Sequence, residues 1–131
     1  MRDILLVFVG AGSGGLLRHF LNQFGLRIGL RLGWTAFPWM TCFINVTGSF
    51  AMGLLVGSLA GYGDGRWQQS LRLFLATGVL GGYTTFSTFS LENSVLIEKG
   101  AIGIAALYTA LSLGFGLGGV FLGLLLTRSS T

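Results

Sequence analysis

Hydroxyl and aromatic side chains crowd one stretch of this chain, Gly81-Gly82-Tyr83-Thr84-Thr85-Phe86-Ser87-Thr88-Phe89-Ser90. Serine and threonine hydroxyls can donate to an anion, and a phenylalanine edge carries the positive end of the ring quadrupole, so Phe86 and Phe89 can face an anion edge-on. Backbone carbonyls freed beside the double glycine would do the opposite job, offering oxygens to a cation such as Na⁺. Two phenylalanines three residues apart are also ordinary packing neighbours on a helix, and periodicity alone favours that reading. Three further residues stand out by type. Asn45 falls in an apolar run, where an amide must hydrogen-bond something, either a neighbouring helix or a permeating species. Arg18 reads as an interfacial anchor or as a buried functional cation, and Glu92 is the one acid with a claim to membrane depth.

Enzymatic readings fail on the same inventory. No Ser/His/Asp arrangement is brought together by helix spacing, and His19 and Cys42 are each the only residue of their kind, so no metal-ligand cluster exists. Ile4–Val9 followed by Gly10-Ala11-Gly12-Ser13-Gly14-Gly15 does match the strand-then-GxGxxG pattern of a dinucleotide fold. That fold wants an acid about 20 residues later and alternating strands and helices behind it, and neither is present. Small residues that let helices approach closely, such as Gly10 with Gly14, are the better account.

The elements that must position these groups are membrane helices. Of 131 residues, 52% are hydrophobic and 9% charged, which is membrane composition and excludes a solvated domain. The net charge of +4 comes from basic residues scattered singly, so lipid headgroups are the expected partner and nucleic acid is not. At about 20 residues per span, four spans use most of the chain and leave a single transmembrane domain, 1–131. Helix 1 is expected over Ile4–Gln23; it lacks a basic n-region and a cleavage pattern, so it reads as a retained span and not a signal peptide. A headgroup-level linker, Arg27–Trp34, follows, and Pro38 suits the first turn of helix 2, Trp39–Ala60. Thr41, Asn45 and Ser49 share one stripe of that helix, and Gly53, Gly57 and Gly61 form a flat face. Tyr62–Gln69 is a polar turn outside the hydrocarbon. Helix 3 begins near Leu71, breaks at Gly81-Gly82 and ends at Glu98-Lys99-Gly100. Helix 4, Ile102–Leu126, sets Tyr108 and Ser112 on one face and has close-packing pairs Gly114/Gly118 and Gly119/Gly123.

Four helices of this size cannot enclose a pore alone, which predicts a homodimer. Arg2, Arg66, Arg72 and Arg128 fall on one side of the four-span topology and Arg27, Arg31 and Lys99 on the other. Four against three sets no direction under the positive-inside rule, so the same chain can insert both ways and pair antiparallel.

The stretch Gly81–Ser90, together with Asn45 and Gly48, the segment Gly10–Arg18 and the four-span length, resembles the fluoride channel family known as Fluc or CrcB over the whole chain. The resemblance implies an antiparallel, dual-topology homodimer in the cell (inner or plasma) membrane that exports F⁻ passively through two pores around a central structural Na⁺. Carried over, Gly81 and Thr84 would hold Na⁺ by their carbonyls, and Asn45, Phe86, Ser87, Thr88 and Phe89 would line the fluoride path, with Tyr108 and Ser112 continuing it. Gly116 and Val120 depart from the hydroxyls that some members carry there, and His19 from the more usual aromatic. The alternative class is a small dual-topology multidrug transporter, whose proton coupling wants an acid in the middle of helix 1 that this chain lacks.

Overall fold

The computed structural model describes residues 1–60 and 65–128; apart from short connections and a break at Thr84 and Thr85 these are helical, and no strand occurs among them. The elements are α1 (Arg2–Leu32), α2 (Trp39–Ala60), α3 (Arg66–Leu71), a π-helical stretch (Arg72–Leu80), the single turn α4 (Gly81–Tyr83), α5 (Phe86–Glu98) and α6 (Ile102–Arg128). Three of them, α1, α2 and α6, are individually long and apolar enough to cross a membrane. Their outer faces are apolar as well: Phe8, Phe20, Phe115 and Phe121 are mostly exposed, which water would not tolerate over so much surface but lipid does.

Side-by-side contacts give the topology. Cys42 lies beside Ser112, Gly53 against Val120 and Gly57 against Thr127, so α2 and α6 run parallel. The chain must therefore return between them, and α3 through α5 make that fourth crossing in pieces. Along it, Gly10 meets Phe74 and Gly78, Gly14 meets Val79 and Tyr83, and Gly82 meets Ala11, which sets α1 parallel to the returning segment. A Cβ on Gly14 would lie 2.0 Å from the Val79 carbonyl oxygen, and one on Gly82 would lie 2.4 Å from that of Ala11. The two backbones are in direct contact, the role anticipated for the glycines of helix 1.

Helix 2 begins and ends where the sequence places it, with the Pro38 carbonyl accepting from Cys42 N–H at 3.2 Å. Helix 1 does not: it continues past Gln23 for nine residues, and most of the expected linker Arg27–Trp34 is helical. A span length measures hydrocarbon, not helix, and no residue before Gly33 forces a stop. There the chain turns left-handed (φ 71°, ψ 15°), and Trp34 N–H closes on the Gly29 carbonyl at 2.9 Å. The Tyr62–Gln69 turn is helical from Arg66 on; Gly61 and Tyr62–Asp64 lie outside the described residues.

The break in helix 3 also moves. Gly81 and Gly82 are helical, and the extended residues are Thr84 (φ −79°, ψ 159°) and Thr85 (φ −152°, ψ 112°). Glycine permits a break without requiring one. At Gly82 the missing side chain serves close contact with α1 instead. Glu98-Lys99-Gly100 ends α5 as expected, through a left-handed Gly100 (φ 74°). On α6, Gly119 and Gly123 pack on α2, whereas Gly114 and Gly118 face open space.

Candidate ion pathway at the helix break

Two extended residues in mid-helix need partners for their backbone groups, because lipid supplies none. Asn45 meets both needs of Thr85: its Nδ2 donates to the Thr85 carbonyl at 3.0 Å and its Oδ1 accepts from Thr85 N–H at 2.8 Å. In a continuous helix that N–H would have closed on Gly81, so the clamp takes the Gly81 carbonyl's helical donor away. Arg18 Nη1 donates to the Thr84 carbonyl at 3.3 Å, which places this cation beside the break and not at an interface. Thr85 then caps α5: its Oγ1 accepts from Thr88 N–H at 3.2 Å, donates to Thr88 Oγ1 at 3.0 Å and lies 3.3 Å from Ser87 Oγ.

A cavity of about 340 Å³ opens beside the break, lined among others by Asn45, Ser49, Thr84, Thr85, Phe86, Phe89 and Ser112. Among the described residues no carboxylate lines it. Ser49, on the stripe shared with Asn45, brings a hydroxyl, and Ser112 contacts Cys42 Sγ at 3.6 Å. Phe86 is 76% exposed, and its ring centroid lies 5.7 Å from that of Phe89. Phe86 therefore does not pack into the chain's own core, whereas Phe89 is half-buried and packs inward. Gly116 and Val120 form the far wall, where hydroxyls are absent.

Behind Phe89 stands Tyr108, fully buried, with ring centroids 5.1 Å apart. Tyr108 OH donates to Glu92 Oε2 at 2.7 Å, and Thr41 Oγ1 donates to Glu92 Oε1 at 2.9 Å. Thr41 and Glu92 in turn line a second cavity of about 550 Å³, shared with Asn22, Trp34, Phe37 and Trp39. Between the two cavities stands the buried Tyr108, with Ser112 and Phe89 on the smaller one and Thr41 and Glu92 on the larger.

Of the residues singled out in sequence, Asn45, Thr84, Phe86, Phe89 and Ser112 converge on the smaller cavity, and Tyr108 and Glu92 continue from it. Ser87 and Thr88 belong to the α5 cap and do not line either cavity. Sequence reasoning missed the Thr41–Glu92–Tyr108 unit. Its signals were the stripes carrying Thr41 with Asn45 and Tyr108 with Ser112, which say which faces are polar but not what meets them. Among the described residues no group of three or more His, Cys, Asp and Glu comes together.

Known proteins match this chain along nearly its full length. A fluoride-specific ion channel FluC of Beijerinckia indica is 73% identical over 129 residues, 98% of either chain. Proteins of the same name from Rhodopseudomonas palustris strain BisB5 (52% identical, 97% of this chain and 98% of the relative) and Rhodospirillum centenum (50%, 99% and 98%) also align. Residues 5–124 match the family described as CrcB-like protein, Camphor Resistance (CrcB). With three apolar spans around a helix broken at polar residues, and with relatives of this identity over their whole length, the chain is a multi-pass membrane protein and belongs to the CrcB family.

Proposed function

We propose that this chain is a fluoride-specific channel through which F⁻ leaves the cell passively. The observation that carries the reading is the cavity at the break: amide, hydroxyl and aromatic side chains line it, no carboxylate among the described residues does, and a guanidinium bonds the Thr84 carbonyl. A small, strongly hydrated anion can exchange water for such donors step by step, each weak enough to let it leave again. The name borne by relatives up to 73% identical says which anion. From the cavity the ion would pass Phe86 and Phe89 edge-on and continue along Ser112 and the ring of Tyr108. Asn45 keeps one amide hydrogen beyond its clamp on Thr85, so it can both hold the break and donate.

The smaller cavity is open on one side, which supports a wall supplied by a second copy. Balanced charge allows that copy to run antiparallel, and two-fold symmetry then makes two pores. The carbonyls of Gly81 and Thr84 suit a structural Na⁺: one has lost its helical donor and the other has a single long bond from Arg18, and a pair of chains doubles them to four oxygens. When bound, Na⁺ would supply positive charge at the dimer centre.

Fluoride efflux from liposomes holding the purified protein tests the reading. Wild type passes F⁻ and holds back Cl⁻, and Phe86→Ile with Phe89→Ile lowers F⁻ efflux at least tenfold while the protein stays folded by circular dichroism. Full flux in the double variant removes the ring-edge step, and no F⁻ flux in wild type removes the function.

A further inference from the structure

The unexpected length of α1 creates a surface that a loop could not. From Ile4, the first apolar residue after Arg2 and Asp3, to Phe24 the helix climbs about 30 Å, the thickness of a bilayer's hydrocarbon. Arg27 and Arg31 stand about 5 and 10 Å further along the same rod, at the depth of lipid phosphates. They are one turn apart and so share a face, and the exposed Phe20 and Phe24 continue that face into the hydrocarbon. This face lies about 200° around the helix from Gly25 and Gly29, which pack toward Met40 and Trp34, so it points away from the rest of the chain. Both guanidiniums are exposed and neither has a hydrogen bond or an ion pair.

Charge decides what covers the face. In an antiparallel pair, the neighbour's end at this level carries Arg2, Arg66 and Arg72, with Asp3 the one acid among the described residues there, so it repels. A phosphate attracts, and two guanidinium forks on side chains whose Cβ atoms lie about 6 Å apart can grip one from both sides. We propose that Arg27 and Arg31 form a site for one anionic phospholipid, its phosphate between the guanidiniums and an acyl chain along Phe20 and Phe24.

Native mass spectrometry of the full-length protein, titrated with phosphatidylglycerol and with phosphatidylcholine, tests this without reference to ion flux. Two cations near a membrane surface correspond to a preference on the order of 30-fold for the anionic lipid. That preference should fall close to unity in R27Q/R31Q, survive in R66Q at the opposite end, and be intermediate in R27K/R31K, which keeps charge but loses the forks. An unchanged preference in R27Q/R31Q overturns the site, as does an equal loss in R66Q, which would mean diffuse attraction. A lower dimer fraction in R27Q/R31Q with lipid preference intact also overturns it, in favour of a second copy on this face. Matching thermal unfolding of the variants in phosphatidylcholine keeps misfolding from imitating the result.

Discussion

Asn45 uses both ends of its amide on the backbone of one residue, Thr85, and so replaces the helical partners that an extended residue gives up. Truncation would orphan a part-buried N–H and a carbonyl together. Such groups cost about 1–3 kcal/mol each, so Asn45→Ala should destabilise the protein by about 2 kcal/mol or more. Thermal unfolding in detergent measures this, and a loss below about 0.5 kcal/mol would mean that the break holds itself. Glu92 shows the same logic at another depth. A half-buried carboxyl group is costly without partners, and here each of its oxygens has a hydroxyl neighbour in hydrogen-bond reach, from Thr41 and from Tyr108. The amide, the acid and the hydroxyls were visible as residue types; their partners, 16 to 51 positions away, were not.

Elements in this fold meet backbone to backbone, because lipid gives no hydrophobic drive for helices to associate and close packing must supply it. Glycine spacing advertises such faces but does not say which are used. Gly10, Gly14, Gly78 and Gly82 join α1 to the broken helix, while Gly114 and Gly118, spaced just as regularly, touch nothing. Gly14→Ala should therefore force α1 from its partner and lower stability by about 2 kcal/mol or more, through overpacking that no side chain can relieve. Gly118→Ala should stay within about 0.5 kcal/mol of wild type in the isolated chain. Equal unfolding temperatures for the two variants would contradict the assignment. The break obeys the same rule. Gly81-Gly82 marks the neighbourhood, but the helix opens three residues later, at Thr84, where Asn45 and Arg18 can receive what it releases.

At the scale of the molecule, the charge on the two ends is poised. Lys99→Gln leaves four positive residues facing two, and the positive-inside rule then puts the Arg2 end in the cytoplasm. In a Cys42→Ala background, Glu98→Cys should label from both sides of the membrane, and adding Lys99→Gln should restrict labelling to the outside and cut F⁻ efflux, since the proposed antiparallel pairs can no longer form. One-sided labelling before that change would sink dual topology. Withdrawal of Na⁺, with K⁺ or Cs⁺ in its place, should lower the unfolding temperature of the dimer; identical melting in all three salts would remove the proposed role of the Gly81 and Thr84 carbonyls.

By itself the sequence determined the solvent and the architecture. Apolar runs of span length can only cross a bilayer, Pro38 and Ala60 bracket α2, and hydroxyls within such a run must face protein, water or an ion. These follow from local composition and period. Tertiary structure decided where helix 3 opens, how far α1 extends, and which distant side chains gather around Tyr108. Those outcomes depend on what stands opposite each residue: the Ala11 backbone against Gly82 leaves no room there for a side chain, and Asn45 against Thr85 makes an extended residue affordable in lipid. A one-dimensional pattern shows that a polar group needs a partner. Only the packed helices show which partner it has.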